Sequence, residues 1–137
     1  MVARAGSGAG GVLGLGMDVA SIERIAQTLA GVRGERFLAR VYTDGERAFC
    51  DQRKDRAAAY AARFAAKEAF VKALGVPKGI SWLDIAVVRG GGAPDLVLAG
   101  RAAEVLRERG ARAMLTLSHD AGVAVAVVLV VADTERR

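Results

Sequence analysis

Two carboxylates, Asp18 and Glu68, each stand among small or apolar residues in the sequence. Burying a carboxylate is costly unless a cation or hydrogen-bond donors accompany it, so both side chains need a partner. One shared divalent cation would meet both needs, and Mg²⁺ prefers one or two carboxylates completed by water and phosphate oxygens. Lys72 follows Glu68 by one helical turn and would point at a phosphate held there. The three residues favour a magnesium and phosphate site.

Two other interpretations account for the same residues. Glu68 and Lys72 have the i,i+4 spacing of a surface ion pair, which is common on helices. Asp18 shortly precedes a predicted helix and has the chemistry of a helix N-cap. The residue types alone therefore leave a metal site, an ion pair and a cap as alternatives.

Asp18 belongs to a predicted strand over residues 12–19, where apolar residues alternate with Gly14, Gly16 and Asp18. A period of two is typical of a half-buried strand. A strand face made of glycine lets another element approach closely. Asp18 shares that face, and we expect its side chain to be partly desolvated.

Glu68 and Lys72 belong to the longest predicted helix, an alanine-rich segment over residues 56–74. Gly75 and Pro77 supply the stop signals expected just beyond its end. At about 100° per residue, both charged side chains lie beside the apolar stripe of this helix rather than opposite it. An element packed on that flank would come close to both.

The remaining pattern predicts an α+β fold, because helices are mixed with antiparallel hairpins. Further helices are predicted at residues 21–29, 37–41 and 101–109, and further strands at residues 82–88, 95–98, 113–118 and 123–131. The last strand is apolar on both faces, which is typical of a central strand. We expect one compact domain, with the long alanine-rich helix packed on a mainly antiparallel sheet.

Domain boundaries follow from composition. Residues 1–11 are rich in Gly and Ala and have no apolar period, which predicts a flexible leader. Residues 12–132 form the predicted folded domain, and residues 133–137 form a polar tail. The most apolar stretch, residues 121–132, falls short of the roughly 20 residues that a membrane-spanning helix needs. With no signal-peptide pattern either, we expect a cytoplasmic protein without a membrane anchor.

The net charge and the composition limit the kinds of molecule that the chain is expected to bind. The chain has 20 Lys and Arg against 15 Asp and Glu, a formal charge of +5 and a pI near 10.0, which favours anionic partners. Only 5% of residues are aromatic, and none interleave with the basic clusters as a base-stacking surface requires. Cys50 and His119 are the only residues of their types, which excludes intrachain disulfides and zinc sites rich in Cys or His.

The segments around these residues resemble the holo-acyl-carrier-protein synthase family, the small homotrimeric type of phosphopantetheinyl transferase. GLGMDV at residues 14–19 with IERI at 22–25 is similar to the opening motif of that family. RFAAKEAF at residues 63–70 with KALG at 72–75 is similar to its central motif, the most specific segment. Weaker similarity runs in order through the chain into LSH at residues 117–119.

The resemblance implies a phosphopantetheinyl transferase-like fold and a magnesium-dependent reaction. A serine of apo acyl-carrier protein would attack the phosphate next to the pantetheine arm of coenzyme A, and adenosine 3',5'-bisphosphate would leave. By resemblance, Asp18 and Glu68 hold the metal with the coenzyme A diphosphate. Lys72 stabilises or protonates the leaving phosphate, and either a water molecule or Glu68 takes the serine proton.

Other positions carry over from the family in two groups. The positions matching or near those around the nucleotide end of coenzyme A are Arg63, His119, Arg53 and Lys54. The positions matching or near those that dock the acidic carrier are Arg24, Arg33 and Arg36. The resemblance also implies a homotrimer with sites at subunit interfaces, acting in fatty-acid or polyketide synthesis.

Two rival functions fit parts of the sequence. A basic nucleic-acid-binding module would explain the charge of +5 and the arginine clusters, and its binding would collapse with salt. A structural trimer that has lost catalysis would explain the fold but would leave a carrier protein unmodified. Coenzyme A dependence and carrier modification separate the three functions.

Overall fold

The computed structural model describes residues 11–134, so most of the predicted leader, and residues 135–137 of the predicted tail, lie outside the described part. The helices are α1 Ile22–Ala30, α2 Gly34–Val41, α3 Asp44–Asp51, α4 Arg56–Ala73 and α5 Gly100–Glu108. The strands are β1 Val12–Ser21, β2 Ile85–Arg89, β3 Pro94–Leu98, β4 Ala111–Asp120 and β5 Val123–Ala132. The α+β prediction is confirmed.

The main sheet is antiparallel, with the strand order β1–β5–β4, and β2 and β3 form a separate hairpin. The central position of β5 confirms the expectation from its two apolar faces. Asp18 of β1 lies opposite Ala126 of β5, which lies opposite Leu117 of β4. This register places Asp18 level with the middle of the sheet.

Helix α4 packs across the sheet and is buried over most of its surface. Alanine provides most of the buried positions, because only small side chains let a helix lie this close to strands on several sides. The contact with β1 is closest at two glycines. A Cβ at Gly14 would lie 2.2 Å from the carbonyl oxygen of Ala73, and one at Gly16 would lie 2.0 Å from that of Ala69. The predicted close approach on the glycine face is confirmed.

Local hydrogen bonds define the starts of α1, of α3 and of the segment before β2. Ser21 is the N-cap of α1 and its hydroxyl accepts a hydrogen bond from the Arg24 amide, so the N-cap interpretation of Asp18 is wrong. Thr43 and Glu46 form a capping box at the start of α3. The segment Trp82–Asp84 is a 3-10 turn rather than the start of a strand, because Ser81 caps it locally. Among residues 11–134, no helix is both long and apolar enough to cross a bilayer.

The face of the main sheet opposite α4 is largely apolar, and no other part of residues 11–134 covers it. We call it the outer sheet face. Its most exposed large apolar residues are Leu13, Leu15, Met17, Val19 and Met114. Alternation along β1 requires this arrangement, because Gly14, Gly16 and Asp18 occupy the side towards α4. A contiguous exposed apolar face of this kind marks an interaction surface.

Candidate active site

Asp18, Glu68 and Lys72 come together where β1 crosses α4. The ammonium nitrogen of Lys72 donates to the Oδ1 atom of Asp18 at 2.8 Å and to the carbonyl oxygen of Met17 at 3.3 Å. The Asp18 side chain is only 15% exposed and Glu68 is half-buried. Lys72 pairs with Asp18 across the two elements, and not with Glu68 along the helix as the surface ion-pair interpretation required.

The electrostatics of the three groups are coupled. Burial raises the pKa of Glu68, and the negative charge of Asp18 raises it further, while Lys72 opposes both effects. The hydrogen bond to Asp18 raises the pKa of Lys72. Lys72 therefore stays protonated at neutral pH and acts as a donor of hydrogen bonds and positive charge. Glu68 holds its proton more readily than an exposed glutamate does.

The carboxylate oxygens of Asp18 and Glu68 suit a hard divalent cation. Two carboxylates approach closely enough to repel one another, and a lysine ammonium already occupies the position of a counter-charge. Within residues 11–134, no group of three or more His, Cys, Asp and Glu side chains could hold a metal ion. A cation at Asp18 and Glu68 would therefore need further oxygen ligands from water and a bound phosphate, as Mg²⁺ commonly does.

A cavity of about 130 Å³ lies between α3, α4, β2 and β4. Its lining brings together three of the residues predicted to bind the nucleotide end of coenzyme A: Arg53, Arg63 and His119. Lys54, the fourth predicted residue, is exposed in the segment between α3 and α4 and is not among the lining residues. Arg89 completes the cationic lining and was missed by the sequence analysis.

Arg63 is a buried cation in the wall of this cavity. Its residue exposure is 3%, its guanidinium carbon lies 4.3 Å from the centre of the Phe49 ring, and one terminal nitrogen donates to the carbonyl oxygen of Ala59. The Nε atom is buried without a hydrogen-bond partner in the described part of the chain. A buried guanidinium with an unused donor and no ion pair to a carboxylate of the described residues costs several kcal/mol. An anionic ligand would remove that cost.

Arg53 and His119 differ from Arg63, because both lie beside the same carboxylate. The Arg53 Nε atom contacts Asp55 Oδ1 at 2.9 Å, and His119 Nε2 lies 3.8 Å from Asp55 Oδ2. The hydrogen bond from Arg53 lowers the pKa of Asp55, which keeps this carboxylate charged. Asp55 therefore neutralises the charge of Arg53 and lies beside the His119 imidazole.

The three residues predicted to dock a carrier protein are all exposed. Arg24 lies on α1, Arg33 is the N-cap residue of α2, and Arg36 lies on α2. Arg40, one turn beyond Arg36, is also exposed and extends the same basic surface. Glu35 of α2 is paired with Arg47 at 2.6 Å, so its charge is partly neutralised within the chain. We call Arg24, Arg33, Arg36 and Arg40 the basic helix surface.

Lys67 lies on a different side of α4 from Glu68 and is completely buried. Its ammonium donates to the carboxylate of Glu46 at 2.6 Å and to the carbonyl oxygens of Val41 and Trp82. The other oxygen of Glu46 accepts the amide of Val87 at 3.1 Å. Burial lowers the pKa of Lys67, and Glu46 opposes this shift. This ion pair ties α2, α3 and β2 to α4.

Residues 14–127 match the sequence model of the 4'-phosphopantetheinyl transferase superfamily. The chain belongs to this superfamily. Its place within the superfamily is with the holo-acyl-carrier-protein synthases. The protein of that name from Anaeromyxobacter dehalogenans is 63% identical over 121 residues, which cover 86% of this chain and 94% of the relative. The one from Myxococcus xanthus is 59% identical over 119 residues, covering 87% of this chain and 94% of the relative.

Solved structures agree with the sequence relatives. The holo-acyl-carrier-protein synthase of Neisseria meningitidis aligns with a TM-score of 0.76 and 30% identity over 87% of this chain and 98% of its own. The Helicobacter pylori enzyme, solved in complex with coenzyme A, aligns with a TM-score of 0.73 and 33% identity over 85% of this chain and 98% of its own. The resemblance drawn from the sequence is confirmed.

Proposed function

We propose that the chain transfers the 4'-phosphopantetheine group of coenzyme A to a serine of apo acyl-carrier protein, giving holo carrier and adenosine 3',5'-bisphosphate. The observation that carries this proposal is the meeting of Asp18, Glu68 and Lys72 at the contact of β1 with α4. Relatives at about 60% identity are named for this reaction. The transferase domain is assigned to residues 12–132, acting in the cytoplasm in fatty-acid or polyketide synthesis.

Asp18 and Glu68 are proposed to hold Mg²⁺ together with the diphosphate of coenzyme A. Both supply carboxylate oxygens, the ligand type that this ion prefers, and their mutual repulsion is relieved by a cation. When bound, Mg²⁺ supplies neutralisation of the charge that develops on the phosphate oxygens. Such phosphoryl transfer depends mainly on positioning and charge stabilisation.

Lys72 and Glu68 are proposed to act on the leaving phosphate and on the serine proton, respectively. The serine oxygen forms a bond to the phosphorus next to the pantetheine arm, and the bond from that phosphorus to the bridging oxygen breaks. Lys72, held protonated by Asp18, is proposed to stabilise or protonate the leaving phosphate. The serine proton passes to a water molecule or to Glu68.

The nucleotide end of coenzyme A is proposed to enter the cavity lined by Arg53, Arg63 and His119, with Lys54 on its approach. The buried Arg63 guanidinium without a carboxylate partner supports an anionic ligand there. The Helicobacter pylori relative is described as a complex with coenzyme A, which supports the same substrate here.

The acidic carrier protein is proposed to dock on the basic helix surface through Arg24, Arg33 and Arg36. We expect Arg24→Glu to raise the KM for the carrier by about 10-fold or more while the KM for coenzyme A stays within about 2-fold, since a rim charge governs capture of a charged partner. Steady-state kinetics with each substrate varied in turn measures this. Arg109→Glu at the end of α5 makes the same charge change elsewhere and serves as the control. Equal increases in both KM values would disprove the assignment.

A homotrimer with sites at the subunit interfaces is proposed for the assembly. The outer sheet face is apolar and uncovered, and a second copy of the chain would bury it. Arg63 and Glu68 are five residues apart on α4, about 140° around the helix, so one protomer does not present both on one side. If the cavity of one copy faced the carboxylates of a neighbouring copy, Arg63 of one and Glu68 of the other could contact the same substrate. We expect light scattering to give a mass about three times 14.2 kDa; a monomer at micromolar concentration would contradict the proposal.

The function is tested by incubating an apo acyl-carrier protein with this protein, coenzyme A and Mg²⁺. We expect mass spectrometry to show the carrier gaining one phosphopantetheine group, with the gain lost when EDTA replaces Mg²⁺. No gain with several carriers would overturn the assignment. Salt-sensitive binding to DNA or RNA without that gain would favour the nucleic-acid-binding module, which is supported by the net charge and the arginine clusters.

A further inference from the structure

The basic residues of the cavity fall into two classes, according to whether a carboxylate lies beside them. Arg53 and His119 both lie beside Asp55, at 2.9 Å and 3.8 Å. Arg63 and Arg89 line the same cavity, and neither forms an ion pair with a carboxylate in the described part of the chain. The charge that is free to attract an anion therefore comes from Arg63 and Arg89.

These two arginines approach from different elements. Arg63 projects from the middle of α4, and Arg89 is the last residue of β2. Both also line a second depression with Glu46, whose carboxylate is paired with Lys67, and Phe49 borders both depressions. The Phe49 ring lies against the Arg63 guanidinium at 4.3 Å, which holds one of the two cations in place. An anion bound in the cavity would lie beside both arginines.

We propose that Arg89 is a substrate-binding residue which, with Arg63, binds a phosphate monoester and selects the coenzyme that carries one. This inference rests on the proposed function, in which the nucleotide end of coenzyme A enters the cavity. A phosphate monoester carries a charge close to −2 at neutral pH. It neutralises two guanidiniums and matches their paired donors. A coenzyme without the monoester leaves the Arg63 charge buried and unpaired.

Calorimetric binding of coenzyme A and of 3'-dephospho-coenzyme A to the full chain, without carrier protein, tests the role of Arg89. The two ligands differ only in the phosphate monoester on the ribose. Hydrogen bonds to charged groups contribute about 1.5–3 kcal/mol, so we expect Arg89→Ala to weaken coenzyme A binding by about 10- to 100-fold. Binding of the dephospho ligand should change by less than about 3-fold, since it lacks the group that Arg89 contacts.

Three variants make the comparison specific. Arg89→Lys keeps the charge but not the paired donors, and we expect it to recover only part of the affinity. Arg53→Ala removes a guanidinium already paired with Asp55, so we expect a smaller loss than for Arg89→Ala. Arg109→Ala removes an arginine at the end of α5 and is the matched control for net charge. Thermal melts of each variant report whether folding is intact.

The outcomes separate this inference from the proposed function. If the native chain modifies a carrier while Arg89→Ala retains the full preference for coenzyme A over the dephospho ligand, the role of Arg89 is disproved and the function stands. An equal loss for both ligands also disproves it, because Arg89 would then act without regard to the monoester. A native chain that neither binds coenzyme A nor modifies any carrier would overturn the function itself.

Discussion

Asp18→Asn and Glu68→Gln will each lower the rate of phosphopantetheine transfer by at least about 10³-fold. Each change leaves one carboxylate to hold the divalent cation, and metal stabilisation of transition-state charge contributes several kcal/mol, at about 1.4 kcal/mol for each factor of ten. The loss should fall on kcat/KM, measured as phosphopantetheine gained by an apo carrier at saturating Mg²⁺. Calorimetric titration with Mg²⁺ in the presence of coenzyme A should show weakened metal binding in both variants.

Stability distinguishes this result from simple unfolding. Glu68→Gln removes the repulsion between Glu68 and Asp18 and a partly buried charge, so its Tm should equal or exceed that of the native chain. Glu104→Gln on α5 removes an exposed carboxylate paired only with Arg101, and we expect it to keep full activity. A Glu68→Gln variant that transfers at the native rate would remove Glu68 from the metal site.

The elements that carry the site could be predicted from sequence because their signals are local. The alternation of Gly14, Gly16 and Asp18 with apolar residues is complete within eight residues, and it predicted the strand and the close approach of another element, which the structure shows to be α4. The stop signals after α4 are equally local. The segment Trp82–Asp84 was predicted wrongly because a local cap at Ser81 outweighs the strand preference of its apolar residues.

The side chain with which each charged residue pairs could not be predicted in the same way, because pairing depends on contacts between residues far apart in the chain. Lys72 had a partner four residues away in Glu68, yet it binds Asp18 across 54 positions. Arg53 and His119 were predicted to face a nucleotide, and nothing in the sequence shows that Asp55 lies beside both. Arg89 ends a short strand before a glycine-rich turn, and only the packing of that hairpin brings it to the cavity.

The burial of Arg63 and Lys67 could not be predicted from the sequence. Arg63 and Lys67 have the spacing of a solvated basic stripe, but both are at most 3% exposed. Lys67 is compensated by Glu46 from α3, while Arg63 is not compensated by any carboxylate of the described residues. Removing one partner of a buried pair costs about 3–5 kcal/mol, so Lys67 contributes to stability. Because Lys67 is paired and, among the described residues, Arg63 is not, Arg63 is the buried cation whose charge a bound anion would neutralise.

Gly16→Ala will lower the Tm by at least about 10 °C, because overpacking against backbone reaches about 3 kcal/mol at roughly 4 °C per kcal/mol. The added Cβ would lie 2.0 Å from the carbonyl oxygen of Ala69 and 2.6 Å from the amide nitrogen of Ala73. Neither atom belongs to a flexible side chain, so β1 must move away from α4. Asp18, two residues further along β1, would move with it and separate from Glu68.

Transfer by the folded fraction of Gly16→Ala should therefore fall by about 10²-fold, the usual effect of displacing a catalytic group by about 1 Å. The matched control is Gly45→Ala in α3, where a Cβ meets nothing within 4 Å. Alanine is the better helix former by about 0.5–1 kcal/mol, so we expect that variant to keep its activity and to be slightly more stable. Scanning calorimetry measures the Tm of both variants, and transfer kinetics measure their rates. Equal Tm and equal rates for the two would mean that the approach of β1 to α4 does not position Asp18.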